Sequence, residues 1–214
     1  MNKALIISLF IIAVSLFQAP ASFAWNPDTH YEIVENDYNA MPYDVQQKLS
    51  LEDMKDGADD PDFKFFDFSN HSYPNSFERA DYWLKKAKIH YKIGDYKYAS
   101  YCFGVASHYI SDTFCAPHSA RNGKGFNHVI YELQGSSLSP KVTFYAANQY
   151  SGGNMNNLSG DLKSMLISGH LNGGNSWNNW ITSKDNSYVQ KDLNQASGAS
   201  FNAMNRAIIE SNFS

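Results

Sequence analysis

Between His108 and Glu132 the chain spaces five side chains that can hold a transition metal: His108, Asp112, His118, His128 and Glu132. His108 and Asp112 are four residues apart, as are His128 and Glu132, and on a helix that spacing puts both members of a pair on one face. An imidazole and a carboxylate so placed form half of a metal site without help from a loop. His118 follows a proline in the intervening segment, where it can turn toward the same point. Upstream stand Asp62, His71 and His30, so five of the seven histidines occupy positions from which they could ligate. One pair alone would be read as surface or core residues in chance register. Two pairs joined by a loop histidine argue for metal. Imidazole with carboxylate and no thiolate favours zinc, with manganese and iron as alternatives.

Helices must position these groups, since no segment alternates apolar and polar residues with the period of a strand. The expected fold is all-α, a single compact multi-helix domain. Thr29-x-x-Glu32 has the form of a capping box opening a helix to about Tyr38. Pro42 opens a short helix through Leu49, and the stretch from Gly57 to Pro74 is expected to be irregular. Glu78 to Tyr91 and a helix capped by Asp95, running to about Thr113, make an antiparallel hairpin that turns at Gly94. Pro117 and Gly123-Lys124-Gly125 interrupt, and helix resumes at Asn127. Residues 146–178, rich in Gly, Asn and Ser, read as loops with one helix near 159–168, and a last helix spans about 187–211.

The 214 residues suffice for one domain with a full core. Residues 1–24 read as an export signal: Lys3, then apolar or small residues from Ala4 to Phe17, then Ser22-Phe23-Ala24 before Trp25. The apolar stretch is short for a span of about 20 residues. The expected mature domain is therefore 25–214, secreted to the medium or to a periplasm. It would carry 16 basic against 21 acidic residues, a net of −5. That balance is poor for nucleic-acid binding and suits a protein that gathers divalent cations. Cys102 and Cys115 are separated by about 20 Å if the helix between them is continuous, too far for a disulfide, so both are expected as packed thiols. His90 and His170 lie outside the pattern and read as solvated or structural.

The run Ala99-Ser-Tyr-Cys-Phe-Gly-Val-Ala-Ser-His108-Tyr-Ile-Ser-Asp112, the Trp25 and His30 pair, and Gly57-x4-Asp62-Phe63 followed by His71 resemble the bacterial zinc-dependent phospholipase C family, which includes the clostridial alpha-toxin. The resemblance extends from Trp25 to about Gly135. It implies three zinc ions: one held by Asp62, His71, His108 and Asp112, a second by His118, His128 and Glu132. The third would be held by Asp112, His30 and the backbone amine and carbonyl of Trp25, an amine that exists only after signal cleavage. It also implies hydrolysis of the glycerol–phosphate ester of phospholipids, phosphatidylcholine above all, by a metal-bound hydroxide. Diacylglycerol and a phosphorylated head group would result. Asp62 is then the candidate general base, or a ligand only, and Asp28, Phe63 and Phe68 would surround a choline group. The expected partner is phospholipid at a membrane surface, acting on a monomer with no obligate protein partner.

Three features depart from that pattern. The Asp62–His71 stretch is short, the sequence beyond Gly135 matches poorly, and no room remains for the toxin's membrane-binding domain, so potent lysis is not expected. Two rivals stand beside this reading. The fungal single-strand nucleases resemble the same fold and site, and the short Trp25–His30 spacing is closer to theirs. Their last ligand is an Asp after a longer interval, however, and single-strand binders carry a positive groove. A zinc-stabilised binding module without catalysis would close each site with four protein ligands, whereas the implied shell of His118, His128 and Glu132 leaves a position open, which favours catalysis.

Overall fold

Asn26, Ser50 and Asp95 each accept a hydrogen bond from the backbone N–H three residues on, at 2.9, 3.2 and 3.4 Å, and a helix begins after each. The computed structural model describes residues 25–142 and 158–213. Its helices are α1 (Pro27–Ala40), α2 (Tyr43–Gln46), α3 (Leu51–Phe63), α4 (Asn75–Lys92), α5 (Tyr96–Thr113), α6 (Phe126–Gly135), α7 (Leu158–Ser183) and α8 (Asn186–Phe213), with short 3-10 turns at Phe68–Asn70 and Ala116–Ser119. Among the described residues there is no strand, and the apolar interior forms one continuous cluster from Trp25 to Ile208. The domain is all-α. The segment read as an export signal lies outside the described residues.

Three details differ from the sequence reading. The first cap is Asn26 and not Thr29: the Thr29 hydroxyl itself donates to the Asn26 side chain at 2.8 Å. Asn26 is followed by a proline, which needs no hydrogen-bond partner at a helix start, so the helix begins one turn earlier. Gly57 and Pro61 sit inside α3, not in a loop. Gly57 serves a close helix crossing: a Cβ there would fall 2.1 Å from the Tyr101 carbonyl oxygen, and one on Gly104 would fall 1.9 Å from that of Met54. The two glycines face each other's helix and let α3 and α5 touch backbone to backbone. Finally, most of the Gly/Asn-rich stretch is α7. Its Gly169 and Gly173 admit the Phe114 ring and the Ser119 side chain, so they relieve packing where they had suggested turns.

From Cys102 to Thr113 every residue of α5 is buried, which makes it the axis of the domain. It is wrapped by α3, α4 and α8. Gly94 adopts φ 84°, where a residue with a Cβ is strained, and closes the α4–α5 hairpin. Cys102 and Cys115 are both buried and form no disulfide.

Candidate metal centre

Asp112, fully buried on α5, is the point on which three histidines converge. The Nε2 of His30 from α1 lies 3.3 Å from its Oδ1. The Nδ1 of His71, which follows the first 3-10 turn, and the Nε2 of His108, one turn back on α5, each lie 3.1 Å from its Oδ2. Asp62, from the last turn of α3, completes the group at 3.6 Å from His71 and 3.9 Å from His108. The rings of His30 and His108 stack at 4.1 Å. Two sets of donors result, His30 with His108 and Asp112, and Asp62 with His71 and His108, each with its ligand atoms within 4.8 Å of one another.

A third set lies beside them: His118 in the second 3-10 turn, with His128 and Glu132 on α6. His128 Nε2 and Glu132 Oε1 are 2.6 Å apart. The His118 ring links the sets, 6.4 Å from that of His71 and 5.1 Å from that of His128. His118 is half-buried while its neighbours are buried, so the cluster is most open to solvent at this end.

Contacts that no motif announces aim these rings. A carbonyl can only accept, so His108 donates its Nδ1 proton to the Ala58 oxygen at 2.7 Å and turns the lone pair of Nε2 toward Asp62 and Asp112. Ser111 Oγ lies 3.2 Å from His30 Nδ1, and Ser72 Oγ lies 3.4 Å from His118 Nδ1. Fixing one imidazole nitrogen in this way leaves the other as a ligand of defined direction. Sequence reasoning missed Ala58, Ser111 and Ser72. Ser111 stands next to Asp112 and three residues after His108, which is the one signal that could have marked it.

The electrostatics suit a cation. Burial lowers His71 to about 3 and His118 to about 4, so both are neutral at ordinary pH, the state in which imidazole binds metal. Burial raises Asp62 and Glu132 to about 7. Burial would raise Asp112 too, but His108, His30 and His71 outweigh it and hold that carboxyl well below the usual range. The test of fit is polar satisfaction, because buried polar atoms in native proteins are nearly always hydrogen-bonded. His30 Nε2, Asp62 Oδ1, both nitrogens of His71, His108 Nε2, both carboxylate oxygens of Asp112 and Glu132 Oε1 are buried without a hydrogen-bond partner. They are the same atoms that point inward, and imidazole nitrogen with carboxylate oxygen is a zinc donor set. The residues fit the metal.

The other candidates lie as follows. Trp25 is buried, its indole N–H donating to the Ser111 carbonyl at 3.0 Å, with the ring packed against Gly135. It directly precedes Asn26, the cap of the helix that carries His30. Phe68 stands 6.1 Å from the His71 ring, Phe63 is about half exposed at the end of α3, and Asp28 is exposed in the first turn of α1. His90 pairs with Asp95 at 2.9 Å and His170 lies against Tyr73, and neither belongs to a set of candidate ligands. A cavity of about 860 Å³ lined by Phe65, Trp83, Tyr101 and Tyr109 contains none of the candidate ligands. Tyr109 walls it off, its ring 5.5 Å from His108 and its hydroxyl donating to Asp67 at 2.9 Å.

An all-helical domain that brings five imidazoles and three carboxylates into three adjoining sets, each able to hold a metal ion, fits the class of helical metalloproteins. The family model for zinc-dependent phospholipase C matches residues 29–191, and the chain belongs to that family. The match runs past Gly135 through α7, further than the motifs alone extend. The family is zinc-dependent and its activity is that of a phospholipase C hydrolase. No curated protein and no solved structure gives a significant match.

Proposed function

We propose that the chain hydrolyses the glycerol–phosphate ester of membrane phospholipids, phosphatidylcholine foremost, and does so outside the cytoplasm as a monomer. The observation that carries this reading is the set of eight buried donor atoms without hydrogen bonds, all aimed into one cluster in a member of a phospholipase C family.

Three zinc ions are assigned as the residues suggest. Asp62, His71, His108 and Asp112 would hold one, His118, His128 and Glu132 another, and His30 with Asp112 and the main chain of Trp25 the third. Bound there, zinc supplies Lewis acidity toward the phosphoryl oxygens and toward water. The protein's own part is placement and proton transfer. His108 and His30 are locked by Ala58 and Ser111, so the phosphate meets a preset geometry. Asp62 is the candidate to accept the proton of the attacking water, the alternative being that it serves as a ligand only. The water oxygen bonds to phosphorus, the bond to the glycerol oxygen breaks, and the proton given up by the water passes to that oxygen, which leaves as the hydroxyl of diacylglycerol. Phe68 and Phe63, with Asp28, would face the quaternary ammonium of choline.

The test is zinc-loaded protein beginning at Trp25, assayed on phosphatidylcholine and single-stranded DNA in parallel. Lipid cleavage lost on chelation and in Asp112→Asn supports the reading. Cleavage of DNA alone assigns the chain to a nuclease activity, and cleavage of neither points to a binding module.

A further inference from the structure

We propose that the mouth of the metal centre is a membrane-seating surface, in which Phe66 and Phe126 enter the interfacial layer of a phospholipid bilayer while Arg121 and Lys124 lie against lipid phosphates. This rests on the phospholipase reading and extends it from the chemistry to how the enzyme reaches its substrate.

A run of aromatic contacts crosses the site. Phe66 lies 6.5 Å from Phe68, Phe68 lies 6.1 Å from His71, His71 lies 6.4 Å from His118, and His118 lies 5.1 Å from His128. Phe126 precedes His128 by two residues at the start of α6. The run thus reaches Phe66 from the His71 end, while Phe126 opens the helix that carries His128 at the other end, and the two rings are 68% and 79% exposed. Both are held outward by the backbone. Phe66 has φ 51°, a left-handed conformation that a bulky residue rarely adopts, while its neighbour Phe65 turns inward to stack on Trp83 at 5.8 Å. The reversal buries one ring and bares the next. Gly125 at φ 82° performs the turn that presents Phe126.

Charge identifies the occupant. The chain is acidic overall, yet the short segment ahead of Phe126 carries Arg121 and Lys124, both exposed. Cations beside an exposed ring match a layer of phosphates above acyl chains. No described helix is long and apolar enough to cross a membrane. The ester to be cut lies at head-group depth, and shallow ring insertion on both sides of the centre would bring it to that depth.

The experiment compares zinc-loaded wild type with Phe66→Ala/Phe126→Ala and Arg121→Gln/Lys124→Gln double variants. Binding is measured by sedimentation with vesicles of a cleavage-resistant phosphonate analogue of phosphatidylcholine, with and without phosphatidylglycerol. In parallel, kcat/KM is measured on a short-chain phosphatidylcholine below its micelle concentration. The aromatic variant should bind all vesicles about 10-fold more weakly and keep kcat/KM on the monomeric lipid within about twofold. The basic variant should lose binding chiefly on vesicles containing phosphatidylglycerol. Unchanged vesicle binding in the aromatic variant overturns the proposal, as does a parallel fall in both readouts. Failure of the wild type on the monomeric lipid overturns the phospholipase reading itself, a distinct outcome.

Discussion

His108 on α5 gives its Nδ1 proton to the carbonyl of Ala58 on α3, and that bond is possible only because Gly57 and Gly104 let the two helices meet without side chains between them. Helix packing and ligand orientation are thus one arrangement. In Gly104→Ala the new methyl would press on the Met54 carbonyl, which is backbone and cannot swing away. We expect a loss of about 1–3 kcal/mol in urea unfolding together with weaker zinc binding. Unchanged zinc affinity in a destabilised variant would separate the crossing from the site.

Ser111 holds His30 through its hydroxyl and Trp25 through its carbonyl. Ser111→Ala removes the first contact, together with the hydroxyl's bond to the His108 carbonyl at 2.9 Å, and keeps the second. Zinc affinity should fall about 10–100-fold with little change in thermal stability of the metal-free protein. A competition titration against a chelator dye reads this directly, and an affinity equal to wild type would show that the ring is held by packing alone.

Acid should oppose metal loading through the carboxyls and not through His71 or His118. Asp62 and Glu132, raised to about 7, are largely protonated at pH 6 in the metal-free protein and must ionise to bind. His71 and His118, lowered to about 3 and 4, are already neutral there and release nothing. Calorimetric zinc titrations in buffers of different ionisation heat should show proton release at pH 6 that shrinks by pH 8.

The stability of the metal-free protein follows from the same groups. A carboxyl whose folded pKa is raised contributes stability below its unfolded value and loses it as pH rises through about 7, and Asp192 acts in the same sense as Asp62 and Glu132. A histidine whose folded pKa is lowered contributes above about 6.5 and loses that as pH falls toward 4. Between pH 4 and 6.5 the two sets oppose each other. From pH 6.5 to 7.5 only the carboxyls act, so the melting temperature without metal should fall across that step.

Chelation itself should be costly. At zinc concentrations about 100-fold above Kd the bound form gains about 2.7 kcal/mol. For a domain of this size that is about 5–10 °C in Tm. Scanning calorimetry with and without chelator checks it, and His90→Ala, remote from the cluster, should show the same gain as wild type.

The pairs His108/Asp112 and His128/Glu132 were legible in the sequence because helical spacing alone sets their common face. The α4–α5 hairpin was legible from Gly94 and Asp95, whose roles are local. What escaped was non-local. Gly57 and Pro61 carry loop signals, yet Gly57 is selected by the Tyr101 carbonyl that crosses over it 44 residues later. The glycines of α7 mislead for the same reason, since their purpose is to admit Phe114 and Ser119. The Ala58 carbonyl could not be foreseen at all, because every residue has one and only the fold decides which is used.

Convergence on Asp112 also has a meaning for the folding chain. His30, His71 and Asp112 come from distant segments, and a metal joining the first to the last closes a loop of about 80 residues. The described residues contain no disulfide, so an ion at this point would be the domain's crosslink, one that forms only once α1 and α5 have docked. Metal capture would then come late in folding, and the unfolded chain would hold the ion only weakly, with no reagent needed but the cation to staple the finished domain.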